Sequence, residues 1–434
     1  MSSTAVAGLT IFIVLVVILV SGMPIAVALA ASSMIAIVQL LDSAAAITTA
    51  SQKLFQGISI FTLLAIPFFV LAGNIMNKGG IAVRLINFAK VVIGWLPGSL
   101  VHVNILANML FGAVSGSGAA AASAMGSVIG PIEEKEGMDM DFCTAVNVAT
   151  APTGLLIPPS NVLITYALAS GGTSVAALFM GGYIPGILWG VGCMVVAGIW
   201  MHKHGYHSTT KYSFKEALIT IWKAIPSLLL ILIIVGGICS GIFTATEASG
   251  IAVVYSLFLS LIVYHTITVR ELKQILLDSG KMTATIMFLV GTSNIMAWVM
   301  AFAGIPAAIS NVLLSISSSK VVILLIINVF LLFVGTFMDI TPAVLIFTPI
   351  FLPICQSFGM SALQFGIMIT FNLCIGCITP PVGNILFVGL KVSKRRLEAV
   401  MKPLVLFYAA IFVVLMLVTF VPAVSTAIPS MLGY

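Results

Sequence analysis

Charge is what this sequence has least of. Asp, Glu, Lys and Arg make up 7% of its 434 residues, hydrophobic residues make up 61%, and the mean hydropathy is +1.24. A soluble domain carries roughly a quarter charged residues, so this chain cannot cover a water-facing surface. That excludes a soluble enzyme or binding module and leaves a multispanning integral membrane protein. The net charge of +6 is no sign of a nucleic-acid partner, because the basic residues sit in loops between apolar runs. Cysteine is sparse and scattered: "CIGC" at 374–377 has no second pair and reads as small packing residues rather than a metal or redox site. There is no GxxxxGK[ST], so no ATP-driven pump is visible. The five histidines (His102, His202, His204, His207 and His265) lie near segment ends or in loops, which leaves a serine nucleophile without a base. Asp339 is the one acidic residue inside an apolar segment, whereas an intramembrane aspartyl protease needs two. The chain is therefore not expected to be an enzyme.

What the sequence has is apolar runs of about 20 residues, which argue for helices rather than barrel strands. The N-terminal "MSSTAVAGLTIFIVLVVILVSGMP" has no Lys or Arg before its apolar run and reads as a retained span, not a cleaved signal. Basic residues mark cytoplasmic loops: Lys78, Arg84 and Lys90; Lys203, Lys211, Lys215 and Lys223; Arg270, Lys273 and Lys281; Lys391, Lys394, Arg395, Arg396 and Lys402. The segment 170–174 and the C-terminal "VSTAIPSMLGY" lack Lys and Arg, which places the C-terminus on the periplasmic side. Between the cytoplasmic segments 78–90 and 133–141 lie two apolar stretches, 98–114 and 119–132, joined by "SGSG". Each is short for a full crossing, so together they read as a re-entrant hairpin. Non-helical backbone at that depth survives only against protein or a wet cavity.

The pattern occurs twice. "GNIM" at 73–76 echoes "SNIM" at 293–296, "GMDMDF" echoes "GMSALQF", and "LLIPPSN" at 155–161 echoes "CITPPVGN" at 377–384, all at an offset near 220–223 residues. Gly112 and the SGSG tip then align with Gly335 and "TFMDITP". With the loop charges, the first hairpin enters from inside and the second from outside, an inverted-topology repeat. Each copy also holds a helix that must break. Pro152, Gly154, Pro158 and Pro159 interrupt 147–166, and Gly376, Pro380, Pro381 and Gly383 interrupt 372–389. Broken helices expose carbonyls that suit a bare cation and N–H groups that suit a carboxylate. Ser115, Ser117, Asn147, Thr150 and Thr153 gather oxygens in the first copy; Thr336, Asp339, Thr341, Asn372 and Thr379 do so in the second. Small residues also pack helices without binding anything, but mirrored tips and paired breaks outweigh that reading. A carboxylate at Asp339 requires a partner, whereas Asn104, Asn108 and Asn328 read as bridges between helices. A plain channel does not require two mirrored breaks, so the expected energy source is an ion gradient.

The segments "GAVSGSGAAAASAMG", "APTGLLIPPSN", "GTFMDITPA" and "CITPPVGN" resemble the large membrane subunit of TRAP (tripartite ATP-independent periplasmic) transporters, and the similarity covers essentially the whole chain. The resemblance implies an elevator-type protein, a scaffold plus a transport domain, driven by two or more Na+. It implies a small four-helix membrane subunit, not fused here, and a periplasmic substrate-binding protein, in a bacterial inner membrane. By motif, one Na+ site involves Ser115, Gly116, Ser117, Asn147, Thr150 and Gly154. The other involves Gly335, Thr336, Asp339, Gly376 and Thr379. Substrate is expected beside Ser115, Thr153, Pro158, Asn161, Thr379, Pro380 and Asn384. Among family members the chain looks closest to those serving sialic acid; a C4-dicarboxylate-like organic acid fits the same reading. The alternative is a stand-alone Na+/carboxylate symporter that needs no binding protein.

The expected organisation is N-terminal scaffold helices over 1–60 and a first repeat over 61–200. That repeat holds an arm at 78–94, a hairpin at 98–134 and a broken helix at 142–170. A loop and connecting helices follow over 201–281. The second repeat, 282–434, has its arm at 301–318, hairpin at 320–354, broken helix at 363–390 and last span at 403–424. Lys78, Arg84 and Lys90 are expected to snorkel to headgroups.

Overall fold

A computed structural model describes residues 3–96, 98–206 and 213–434. Lys211 and His207 of the long polar loop lie outside them. The described residues form helices and turns, with no strand among them. Eight of these helices are long and apolar enough to cross a membrane.

The two re-entrant hairpins are present. The first runs Ser99–Ser115, turns at Gly116 and Ser117, and returns as Gly118–Lys135. Gly116 makes the turn with a positive φ of 62°, a conformation other residues adopt at a cost. Ser117 then starts the return arm, its hydroxyl accepting from the Ala120 N–H at 3.3 Å. The second hairpin runs Lys320–Phe337 and Ile340–Ser357, with Asp339 at the corresponding cap accepting from the Ile340 N–H.

Both broken helices are also present. Met140–Thr150 passes into a 3-10 turn at Ala151–Leu155, and the chain resumes as Asn161–Ala169. Its restart is fixed by Ser160, whose hydroxyl donates to the Leu155 carbonyl at 2.5 Å and accepts from the Leu163 N–H at 3.4 Å. The second runs Ala362–Gly376 and resumes as Asn384–Ser393.

Packing between the copies is reciprocal. The second half of each broken helix packs on the return arm of the other copy's hairpin, and on the first half of the other broken helix. The Tyr166 hydroxyl donates to the Ala362 carbonyl, while Gly389 lies against Val148. Near the centre the Cys374 thiol meets the Pro152 carbonyl at 3.9 Å, and these two positions are equivalent under the repeat. Equivalent residues touch one another only beside a pseudo-two-fold axis. The long helices Val175–Lys203 and Leu397–Phe420 also pack on each other. The cysteines at 374 and 377 are free and buried, as packing residues should be.

Outside this core, Val269–Phe302 packs on Ile25–Leu40, Ser43–Ile58 and Ala65–Lys78, and Ala245–Leu257 also covers Ala65–Lys78. A short amphipathic helix precedes each hairpin. Ile81–Ile93 buries Ile81, Ala82, Leu85, Ile86 and Ala89 on one face. Ile305–Ile316 lies against the second hairpin's return arm. Arg84 does not extend to headgroups as the sequence suggests: its guanidinium stacks 3.3 Å above the Tyr264 ring and donates to the Gly80 carbonyl.

Candidate substrate and cation site at the hairpin tips

In each copy the hairpin crosses the broken helix at a pair of glycines. A Cβ on Gly154 would lie 2.1 Å from Gly112 Cα, and a Cβ on Gly376 would lie 2.5 Å from Gly335 Cα. The absence of side chains brings the hairpin tip against the backbone where the helix opens, so carbonyls from both segments reach one space. The Ala151 carbonyl faces Gly112 and Gly118 there.

At the first tip the buried Ser115 hydroxyl lies 3.4 Å from the Gly112 and Ser117 carbonyls. Asn161, the first residue of the resumed helix, has its side chain over Gly116. At the second tip Asn384, equivalent to Asn161, donates to Asp339 Oδ1 at 2.9 Å. The partner that the carboxylate requires is thus an amide and a helix N-terminus. Asp339 is exposed rather than enclosed. The Gly383 N–H reaches back to the Thr336 carbonyl at 3.1 Å and ties the second break to its hairpin. The first tip also reaches the second copy's break, because Gly118 lies against Ile385, the neighbour of Asn384.

The threonine hydroxyls turn toward their own helices. Thr150 donates to the Val146 carbonyl, Thr153 to Thr150, Thr336 to Phe333 and Thr379 to Ile375, all within 2.6–2.8 Å. A hydroxyl that has placed its proton keeps lone pairs to offer a cation. Asn147 is not at the tip. Its amide donates to the Ala122 carbonyl at 2.8 Å and lies beside Gly126, one to two turns along the return arm. There it joins Asn108, which donates to Asn147 Oδ1 at 3.0 Å, and Asn104. In the second copy Asn372 donates to Asn328 Oδ1 at 2.8 Å, so these asparagines do bridge helices.

The two breaks differ in access. Residues 151–160, Pro158 included, are buried, because Gly182 and Gly186 of the long helix Val175–Lys203 close on Leu156 and Ile157. Trp189 of that helix donates its indole N–H to the Ala149 carbonyl at 2.8 Å. Around the second break Thr379 and Pro380 are partly exposed, and Pro381, Val382 and Asn384 are exposed. Sequence reasoning missed this covering stripe, although glycines at 182, 186 and 190 repeat every fourth residue. It also missed the burial of Glu133, placed at the cytoplasmic end of the hairpin and in fact 2% exposed inside the return arm.

Two inverted halves, each bringing a re-entrant tip to a broken helix, define a polytopic protein with the architecture of a secondary transporter. The chain belongs to the tripartite ATP-independent periplasmic transporter family, DctM component, whose model matches residues 12–424. It is 54% identical to the uncharacterized protein YgiK of Salmonella typhimurium, over 96% of this chain and 95% of that protein. It is 39% identical to the C4-dicarboxylate TRAP transporter large permease protein DctM of Pseudomonas aeruginosa, over 91% of this chain and 92% of the other. With the sialic acid TRAP transporter large permease protein SiaM of Vibrio cholerae it shares 37% identity, again over 91% and 92%. The fold is shared with the crystal structure of the Alcanivorax borkumensis YdaH transporter, at a TM-score of 0.63, 14% identity and 91% of each chain.

Proposed function

We propose that this chain is the large permease of a Na+-coupled, binding-protein-dependent importer of a carboxylate-bearing organic acid, and that it works by an elevator motion. One observation carries the reading. The two hairpin tips converge through Gly118–Ile385 and Asp339–Asn384 on a stretch with no Lys or Arg. An anionic substrate there must be held by N–H groups at half-helix starts, by Ser, Thr and Asn, and by bound cations. Oxygen-rich tips with one carboxylate suit a hard monovalent cation. Such a site selects loosely, so tight selection falls to a periplasmic binding protein that docks on the outward face. Identities of 39% to a C4-dicarboxylate permease and 37% to a sialic acid permease do not choose between those substrates.

In this reading two or more Na+ bind at the tips, and the hairpins and broken helices travel together. The helices Ile81–Ile93 and Ile305–Ile316 link them to a fixed scaffold. A small four-helix subunit completes the scaffold in the bacterial inner membrane, with the C-terminus periplasmic. The test is uptake by proteoliposomes holding this chain and its small subunit. Uptake should require both Na+ and the binding protein, and Ser117→Ala and Asp339→Asn should each weaken the Na+ dependence. Efficient uptake of free substrate without the binding protein would replace this reading with a stand-alone symporter. Unchanged Na+ dependence in both variants would remove the two residues from the ion sites.

A further inference from the structure

A cavity of about 550 Å³ lies behind the first hairpin, away from the tips. It opens between the return arm Gly118–Lys135, the first half of the first broken helix and the end of Asn384–Ser393. Glu133 lines it, yet is 2% exposed. Its carboxylate lies 3.5 Å from Asn104 Nδ2 and beside the Cys143 thiol, and no described Lys or Arg pairs with it. Lys394 is exposed at the lip, and Arg395 there is already paired with Asp141 at 2.5 Å. A buried carboxylate without a counter-ion is costly, so something must neutralise it.

The polar file behind Glu133 has more acceptors than donors. Asn104 Oδ1, Asn147 Oδ1 and Thr150 Oγ1 all crowd the single amide nitrogen of Asn108, at 2.8, 3.0 and 3.0 Å. That nitrogen has two protons. Asn108 Oδ1, fully buried, has no hydrogen-bond partner among the described residues. A carboxylate on the wall of this cavity, followed by surplus oxygens, is a setting that lacks positive charge. Asn147 and Thr144 line the same cavity and add oxygens at its wall.

We propose that this cavity binds a monovalent metal cation through the Glu133 carboxylate, at a site separate from the hairpin tips. The cation neutralises Glu133, with cavity water and neighbouring side-chain oxygens completing its shell. The inference rests on the Na+-coupled reading for the identity of the ion, and not for the existence of the site.

The test is equilibrium binding of radioactive Na+ to the purified complex of this chain with its small subunit. Glu133→Gln should lose one bound Na+ per chain, and Asp339→Asn should lose a different one, so that the double variant loses both. If the parent complex binds Na+ and Glu133→Gln binds the same number with the same affinity, the inference falls and the functional reading stands. If the parent complex binds no Na+, both fall. An unchanged Na+ count with an altered pH profile of uptake would mean that Glu133 holds a proton instead, which also overturns the proposal. Should Glu133→Gln fail to assemble, Glu133→Met is read in its place, since an apolar side chain of similar length removes the buried charge. Failure of both to assemble would make the carboxylate structural and end the proposal.

Discussion

The glycine crossings give the most direct test of how the tips are held. A Cβ at Gly154 would lie 2.1 Å from both Gly112 Cα and its carbonyl carbon, and 2.7 Å from Ala113 N. All three are backbone atoms, so no rotamer change relieves the clash. Ordinary carbon contact begins near 3.5 Å, so the hairpin and the broken helix must part by more than an ångström. Overpacking of this kind costs about 1–3 kcal/mol and at times more, and Gly154→Ala belongs at the upper end. The other three positions grade down from it. Gly376 meets backbone at 2.4 Å, Gly112 at 2.7 Å and Gly335 at 3.2 Å. Gly236, Gly250 and Gly280 have open space around the missing Cβ and ordinary helical backbone, so alanine there should be neutral or stabilise by up to about 1 kcal/mol. Thermal unfolding of the purified complex should rank the losses Gly154 > Gly376 > Gly112 > Gly335, with the three control sites unchanged or raised. Na+-dependent uptake should fall in the same order, because the displaced backbone carries the carbonyls at the tips. A Gly154→Ala protein as stable and as active as the parent would refute the close crossing and the shared-carbonyl argument built on it.

Two further outcomes follow from single contacts. Ser160→Ala removes a buried cap and leaves the Leu155 carbonyl without its donor, and should cost about 1–3 kcal/mol; an unshifted unfolding midpoint would show that the break is held by something else. Arg395 and Asp141 have side chains 42% and 26% exposed, so a double-mutant cycle on Arg395→Ala and Asp141→Asn should give a coupling of only about 0.2–1 kcal/mol that shrinks with added salt; a larger, salt-independent coupling would contradict a screened surface pair.

Much of the fold was legible because membrane sequences declare themselves by interruption. In a chain this apolar, Gly116, Pro158–Pro159 and Pro380–Pro381 stand out, and each marks a place where the helix does stop. The repeat doubles every such signal: Gly112 and Gly335 align, and each crosses a glycine of its own broken helix. Sequence spacing says less about which side a polar residue faces. Asn147 lies one helical turn before Thr150 and was grouped with the tip, but its side chain turns toward Ala122 and Gly126 of the return arm. Glu133 opens the run "EEKE" and so reads as the start of a cytoplasmic segment at the end of the hairpin. The helix continues through Lys135, so the first acid of the run points inward while the next faces out. Here the charge run at the helix end hides one buried member because the helix outlasts the apolar stretch.

The repeat also conceals a difference that the sites depend on. Equivalent positions share backbone, yet Pro158 and Pro159 are buried while Pro380 is partly exposed and Pro381 exposed. The cause lies outside the aligned motifs. Gly182 and Gly186 let the helix Val175–Lys203 close on Leu156 and Ile157, and Trp189 of the same helix occupies the Ala149 carbonyl. The counterpart helix Leu397–Phe420 carries no glycine. It instead sends the Tyr408 hydroxyl to the Ile378 carbonyl at 2.6 Å, and contacts the break through a long side chain rather than by backbone approach. The first break is therefore packed shut by its neighbour, and the second remains open beside Asp339. The two breaks hold similar oxygens in unlike surroundings, the first enclosed and without a carboxylate and the second open beside Asp339. Two cation sites built on this frame would differ in affinity even with matching ligands. The weaker screening of charge at the enclosed break raises both the cost of stripping the ion of water and the return from each carbonyl that replaces it.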